Sequence, residues 1–207
     1  MRRRSLSLAA FLLAAGLAGE AAAAGLCERL WIPEQLELDC RPMAGGAGSG
    51  AVDVVPPGVS APLLSRMTVR ELERKGEDAL AWEDPSSWLT RQMTVDTSQF
   101  AGAIRSYLDD PDSPIGGEAS RGAVTSLLDG LSTLGRLALA GCEDPAERAA
   151  HGYWEMECSF TAGGLGVFTE LRLQAEGERR YAVSMRTMNE KRLRHFQAIA
   201  GSLAAQR

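Results

Sequence analysis

Apolar residues recur along this chain with two different periods, and the periods divide it into strands and helices. In the last third, Trp154, Met156, Cys158 and Phe160 alternate with polar neighbours, as do Val167, Thr169, Leu171 and Leu173, and then Tyr181, Val183, Met185 and Thr187. Period-two alternation over such lengths predicts three half-buried strands. Gly163-Gly164 and Glu176-Gly177 supply turns between them. The expectation is an antiparallel meander with one apolar face and a second face carrying Glu155, Glu157, Glu170, Arg172 and Arg186. Such a sheet needs a cover. Leu193, Phe196, Ile199, Ala200 and Leu203 stand at helical spacing behind Thr187 and Glu190, which have capping-box spacing, and predict a terminal helix that provides it.

The rest of the chain is more broken. Leu36, Leu38 and Cys40 alternate with Glu37 and Asp39, which suits a strand over residues 36–40. Glycine, alanine and serine then fill residues 44–50, and Pro56, Pro57, Gly58 and Pro62 follow, so residues 41–63 read as loop around one short strand near Val52–Val55. No Lys-Ser or Lys-Thr follows the glycines at a helix start, so they are a connector and not a phosphate cradle. Thr68 and Glu71 have capping-box spacing and Glu71 precedes Lys75 by four, which predicts a helix from Thr68. Phe100, Ala103, Ile104, Tyr107 and Leu108 form one helical stripe; Val124, Leu127, Leu128, Leu131 and Leu134 form another. Pro111 and Pro114, within the acidic run from Asp109, separate the two.

The N-terminus has a third pattern. Met1-Arg2-Arg3-Arg4, an apolar run from Leu6 to Ala18 and the block Ala21 to Ala24 have the three parts of a secretory signal peptide, with cleavage after Ala23 or Ala24. The run is too short to span a bilayer, which takes roughly 20 residues. Arg3-Arg4 with Leu6 loosely matches a twin-arginine signal, so the export route stays open. Residues 1–24 are therefore expected to leave, and residues 25–207 to form a single α+β domain in the periplasm. Removing them shifts the formal net charge from −5 to −7. An acidic exported chain is a poor reader of nucleic acid. No second run is long and apolar enough to cross a membrane.

Export changes the meaning of the four cysteines. In an oxidising compartment they read as disulfides, and of three connectivities the local one, Cys27 with Cys40 and Cys142 with Cys158, brackets plausible turns. No Cys-x-x-Cys occurs, and His151 and His195 are the only histidines, so zinc ligation lacks its spacing.

The run from Leu165 to Leu203 carries a further signal: a strand, an acidic turn with Gly177, a strand beginning Arg180-Tyr181, and Phe196-Gln197-Ala198-Ile199-Ala200-Gly201-Ser202. It resembles the C-terminal end of the PsbP/Mog1/DcrB-like superfamily, which closes with a strand and a helix of the form Phe-x-x-Ile-x-x-Ser. The resemblance implies an α/β/α sandwich around an antiparallel sheet, in a family of exported or organelle-lumenal accessory proteins with no shared catalytic centre.

Candidate chemistry is sparse. There is no Gly-x-Ser-x-Gly elbow. His195, at the edge of the terminal stripe, and His151, in the second disulfide loop, read as ordinary partly buried and surface histidines. Asp109, Asp110 and Asp112 resemble half of a calcium loop without its glycine or closing glutamate. Glu155 and Glu157, about 7 Å apart along one strand face, read as an exposed face and not as a glycosidase pair. Trp31, Trp82, Trp88 and Trp154 read as core, although the stretch from Trp82 to Trp88 could offer aromatic surface. Arg186, Asn189, Lys191, Arg192, Arg194 and His195 gather at the last strand-to-helix junction and form a candidate partner surface. No catalytic, cofactor or metal residue is assigned. The expectation is an exported accessory or binding protein that contacts an envelope protein. Its alternatives are a hydrolase assembled from dispersed residues and a small-ligand carrier.

Overall fold

The alternating segments form strands, and the strands join in one antiparallel sheet. A computed structural model of the chain describes residues 22–43, 50–57, 65–95, 122, 125, 141–162 and 165–203. Among these the strands are β1 (Asp39–Pro42), β2 (Val52–Val55), β3 (Ser65–Glu71), β4 (Ala146–Arg148), β5 (Tyr153–Ala162), β6 (Leu165–Glu176) and β7 (Arg179–Thr187). They lie in the order β1-β2-β3-β7-β6-β5-β4. The helices are α1 over residues 22–29, α2 (Leu80–Glu83), α3 over residues 85–95 and α4 (Glu190–Ser202). The class is α+β, as the alternation and the terminal stripe predict. The stripes beginning at Phe100 and Val124, the acidic run from Asp109 and the segment 1–21 lie outside the described residues.

The register corrects the expectation of one shared apolar face. Gly177, with φ of 58°, begins a two-residue turn that pairs Glu176 with Arg179. Odd-numbered residues of β6 therefore meet even-numbered residues of β7: Leu171 faces Ser184 and Leu173 faces Ala182. The stripe 167–173 lies on one face with Trp154, Met156 and Cys158, while Tyr181, Val183 and Met185 lie on the other with Glu170, Arg172 and Gln174.

Each face consequently has a core on a different half of the sheet. On the first face, β5 and β6 pack Met156, Cys158, Leu171 and Leu173 against Ala81 of α2 and Trp88, Leu89 and Met93 of α3. On the second, Val52, Val54, Met67, Val69, Tyr181, Val183 and Met185 pack under Leu26 of α1 and Leu193, Phe196, Ile199 and Ala200 of α4. The terminal stripe is thus buried as its spacing predicts. Its cap differs: the Asn189 side chain accepts the Arg192 amide at 3.1 Å, and Thr187 stays in β7, where its hydroxyl accepts the Asn189 amide. Asp84 caps α3 in the same way, accepting from the Ser87 amide at 3.1 Å ahead of Pro85. Those bonds, first to the Ser87 side chain, lower the Asp84 carboxyl below its ordinary range.

Two further expectations fail locally. Thr68–Glu71 belongs to β3 and not to a helix, because Met67 and Val69 alternate into the second-face core and Asp53 of β2 takes the Thr68 hydroxyl at 2.9 Å. Tertiary burial overrides the capping-box signal. The strand expected over 36–40 begins at Asp39, since a 3-10 turn occupies Glu34–Leu36 and Glu37 is left-handed with φ of 47°. Leu36, Leu38 and Cys40 still face the core.

Both disulfides are local and closed. Cys27–Cys40 ties α1 to β1, and Cys142–Cys158 ties the approach to β4 onto β5. They fit an extracellular or periplasmic compartment. Among the described residues no helix is long and apolar enough to cross a membrane. The boundary expected after Ala23 or Ala24 falls inside α1, whose Ala23 is buried in the core.

Candidate functional site

Where the second-face core ends, β5 and β6 continue under α4 with polar side chains. Register places Glu155 opposite Arg172, Glu157 opposite Glu170, and Tyr153 opposite Gln174. This is not the exposed face expected for Glu155 and Glu157: Glu170 is 0% exposed, Glu155 and Arg172 are buried, and Glu157 is half-buried. Carboxylate oxygens of Glu155, Glu157 and Glu170 all lie within 4.8 Å of one another.

Arg172 sits among them. Its Nε donates to Glu170 and lies 3.9 Å from Glu155, its Nη1 donates to the Gln197 carbonyl at 3.5 Å, and its guanidinium covers the Tyr153 ring at 4.5 Å. Gln197 of α4 returns its amide to Glu170 at 2.6 Å, and Arg148 of β4 donates to Glu155. Three carboxylates thus face two guanidinium groups. Burial, then the neighbouring Glu170, Glu155 and Glu143, raise the Glu157 carboxyl above its ordinary value, against the opposing pull of Arg172. Burial likewise raises the Tyr153 phenol.

Chemically the arrangement can hold a proton on Glu157. Clustered carboxylates are also what hard cations select. Glu170 and Glu155, however, already accept from Arg172, Gln197 and Arg148, so the cluster is first an ion-pair network linking sheet to helix.

The residues expected as a partner surface divide. Asn189 is the cap of α4, Arg192 donates to the Leu36 carbonyl at 3.2 Å, and Arg194 pairs with Glu190 at 2.5 Å. Arg186 pairs across the sheet with Arg66 and Thr169, on the face opposite α4. Lys191 and Arg194 are exposed and His195 is half-buried. His151 is exposed and stacks on Tyr153 at 5.9 Å. Among the tryptophans, Trp88 is core and Trp82 and Trp154 are half-buried against it. A groove of about 590 Å³ is lined by Ala22, Gly50 and the run Glu71–Lys75, which brings Leu72 together with four charged residues.

Trp31 departs from the core expectation: it is 66% exposed. Its backbone is nevertheless fixed. Cys27–Cys40 closes the loop around it, the Trp31 amide donates to Ser202 Oγ at 2.9 Å, and Leu36 and Glu37 close the 3-10 turn onto Pro33 and Glu34. Leu30, Ile32, Leu36 and Leu38 anchor the loop on the second-face core. Nothing in its alternation distinguishes Trp31 from the residues that point inward. With this geometry in hand, comparison with protein-family models, curated proteins and solved structures finds no match to the chain.

Proposed function

We propose that this is an exported periplasmic accessory protein that works by binding an envelope protein partner. One observation carries the reading: a disulfide-closed loop, fixed at both ends and on its inner side, holds Trp31 in solvent. Exposing a large aromatic on ordered backbone makes a contact that orders little more when a partner arrives. The signal-like residues 1–24 and the two disulfides support the compartment. The resemblance of residues 165–203 to the PsbP/Mog1/DcrB-like superfamily supports an accessory role and a related sandwich.

The test is a photo-crosslinking residue placed at exposed Gln35 in the full chain, expressed with its leader and irradiated in cells. A discrete protein adduct, competed by excess wild-type protein, is the expected outcome. Absence of any adduct, with turnover of generic ester or peptide substrates by the purified chain, would replace the reading with the hydrolase alternative.

A further inference from the structure

Resting on the partner-binding reading, we infer that the Trp31 loop receives a basic segment: a Lys- or Arg-rich stretch of a protein, seated with a cationic group over the Trp31 ring. The loop carries Glu28, Glu34, Glu37 and Asp39, all exposed, and none forms an ion pair among the described residues. Its single arginine, Arg29, is turned inward to Glu176 and the Tyr181 hydroxyl. Arg192 of α4 is directed to the Leu36 carbonyl. One exposed aromatic ring therefore shares a disulfide-closed loop with four exposed carboxylates, and exposed Arg41 follows just beyond Cys40.

The ring is itself unoccupied. Elsewhere in the protein, aromatic rings at the surface of the core carry guanidinium groups: Arg29 over Tyr181, Arg74 and Arg180 over Trp82, Arg172 over Tyr153. No described residue does this for Trp31. Tryptophan is the strongest of the side-chain cation acceptors, and carboxylates on the same loop add attraction for the same ligand. The excess of acids on the loop disfavours the other occupants. An anionic lipid surface would be repelled, and a second copy would oppose like charges. Rigidity adds to this, because the disulfide and the hydrogen bonds leave little backbone freedom to lose.

The experiment uses the oxidised full chain at low salt with three probes: a short arginine–serine peptide, its glutamate–serine counterpart, and phosphatidylglycerol vesicles. Saturable binding of the basic peptide alone is expected, weakening as salt rises. Trp31→Ala leaves net charge unchanged and is expected to weaken binding by about tenfold, while Trp31→Tyr stays within roughly threefold of wild type. Pairing Glu34→Gln with Glu37→Gln should weaken it several-fold with an unchanged thermal midpoint. Equal binding of the acidic peptide, preference for the vesicles, or full retention of affinity in Trp31→Ala overturns the inference. The adduct from Gln35 separates this from the broader reading. If the crosslinked partner segment lacks lysine and arginine, the basic-segment inference fails while the accessory function stands.

Discussion

On the β2–β3 half of the sheet, each buried carboxylate has an arginine of its own. Arg66 holds both oxygens of Asp53 at 2.9 and 2.8 Å, and Arg70 holds both oxygens of Asp78 at 2.7 and 2.9 Å. The Thr68 hydroxyl and the Glu73 amide complete the two sites. On the β5–β6 half, Glu155, Glu157 and Glu170 converge on Arg172, and Arg148 reaches only Glu155. The arginines of the first half are about one-third exposed, whereas Arg172 is nearly enclosed. Local pairing makes each site on the first half self-contained. Sharing makes one guanidinium responsible for a whole layer, including its attachment to α4 through Gln197.

The comparison is broken most forcefully at Arg172. Replacing it by methionine leaves a buried carboxylate cluster without its central cation and is expected to cost about 3–5 kcal/mol in urea unfolding. Arg66→Met removes hydrogen bonds to a single charged group whose other partner remains, and should cost about 2 kcal/mol. Equal losses would show that sharing has no special consequence. Opening the first half's staple with Cys27→Ser and Cys40→Ser together should cost about as much as its loop entropy, roughly 3 kcal/mol, without touching the Arg172 layer.

The smallest effect concerns Glu157. An acid raised in the folded chain keeps its proton there when the unfolded chain has lost it. Its stabilising share is complete below the unfolded value, near 4.5, and is lost as pH rises through the raised folded value. Unfolding measured across that window should show wild type gaining stability on acidification relative to Glu157→Gln. Parallel pH profiles for the two proteins would mean that Glu157 titrates as an ordinary surface carboxyl.

Much of this architecture is visible in local spacing, because local rules govern it. The alternation of 154–160, 167–173 and 181–187 sets three strands, the stripe from Leu193 sets α4, and the turns that each cysteine pair brackets favour the local pairing that is found. What decides the site is register, and register turns on a single residue of turn length. Two central residues at 177–178 throw the stripes of β6 and β7 onto opposite faces; one more or fewer would have put them together. Glu155 and Glu170 read as solvent-facing only while that parity is unfixed. Thr68 has both a capping-box partner and an alternating neighbour on each side, and only the presence of β2 and β7 beside it selects the strand. Trp31 is exposed because its neighbours Leu30 and Ile32 take the inward positions, a choice its residue type does not express.

The strand order has one more consequence, for the way the chain comes together in time. β7 is the middle strand of the seven, yet it follows the other six in the chain. β3 waits for β7 across more than a hundred residues, to pair from Ser65 with Thr187 to Glu71 with Tyr181. A chain delivered N-terminus first therefore carries β1–β3 as an open three-stranded fragment until residues 181–187 have emerged, and non-local closure of this kind is slow. Truncation ahead of Arg179 would remove the strand that joins the two halves and not a fringe.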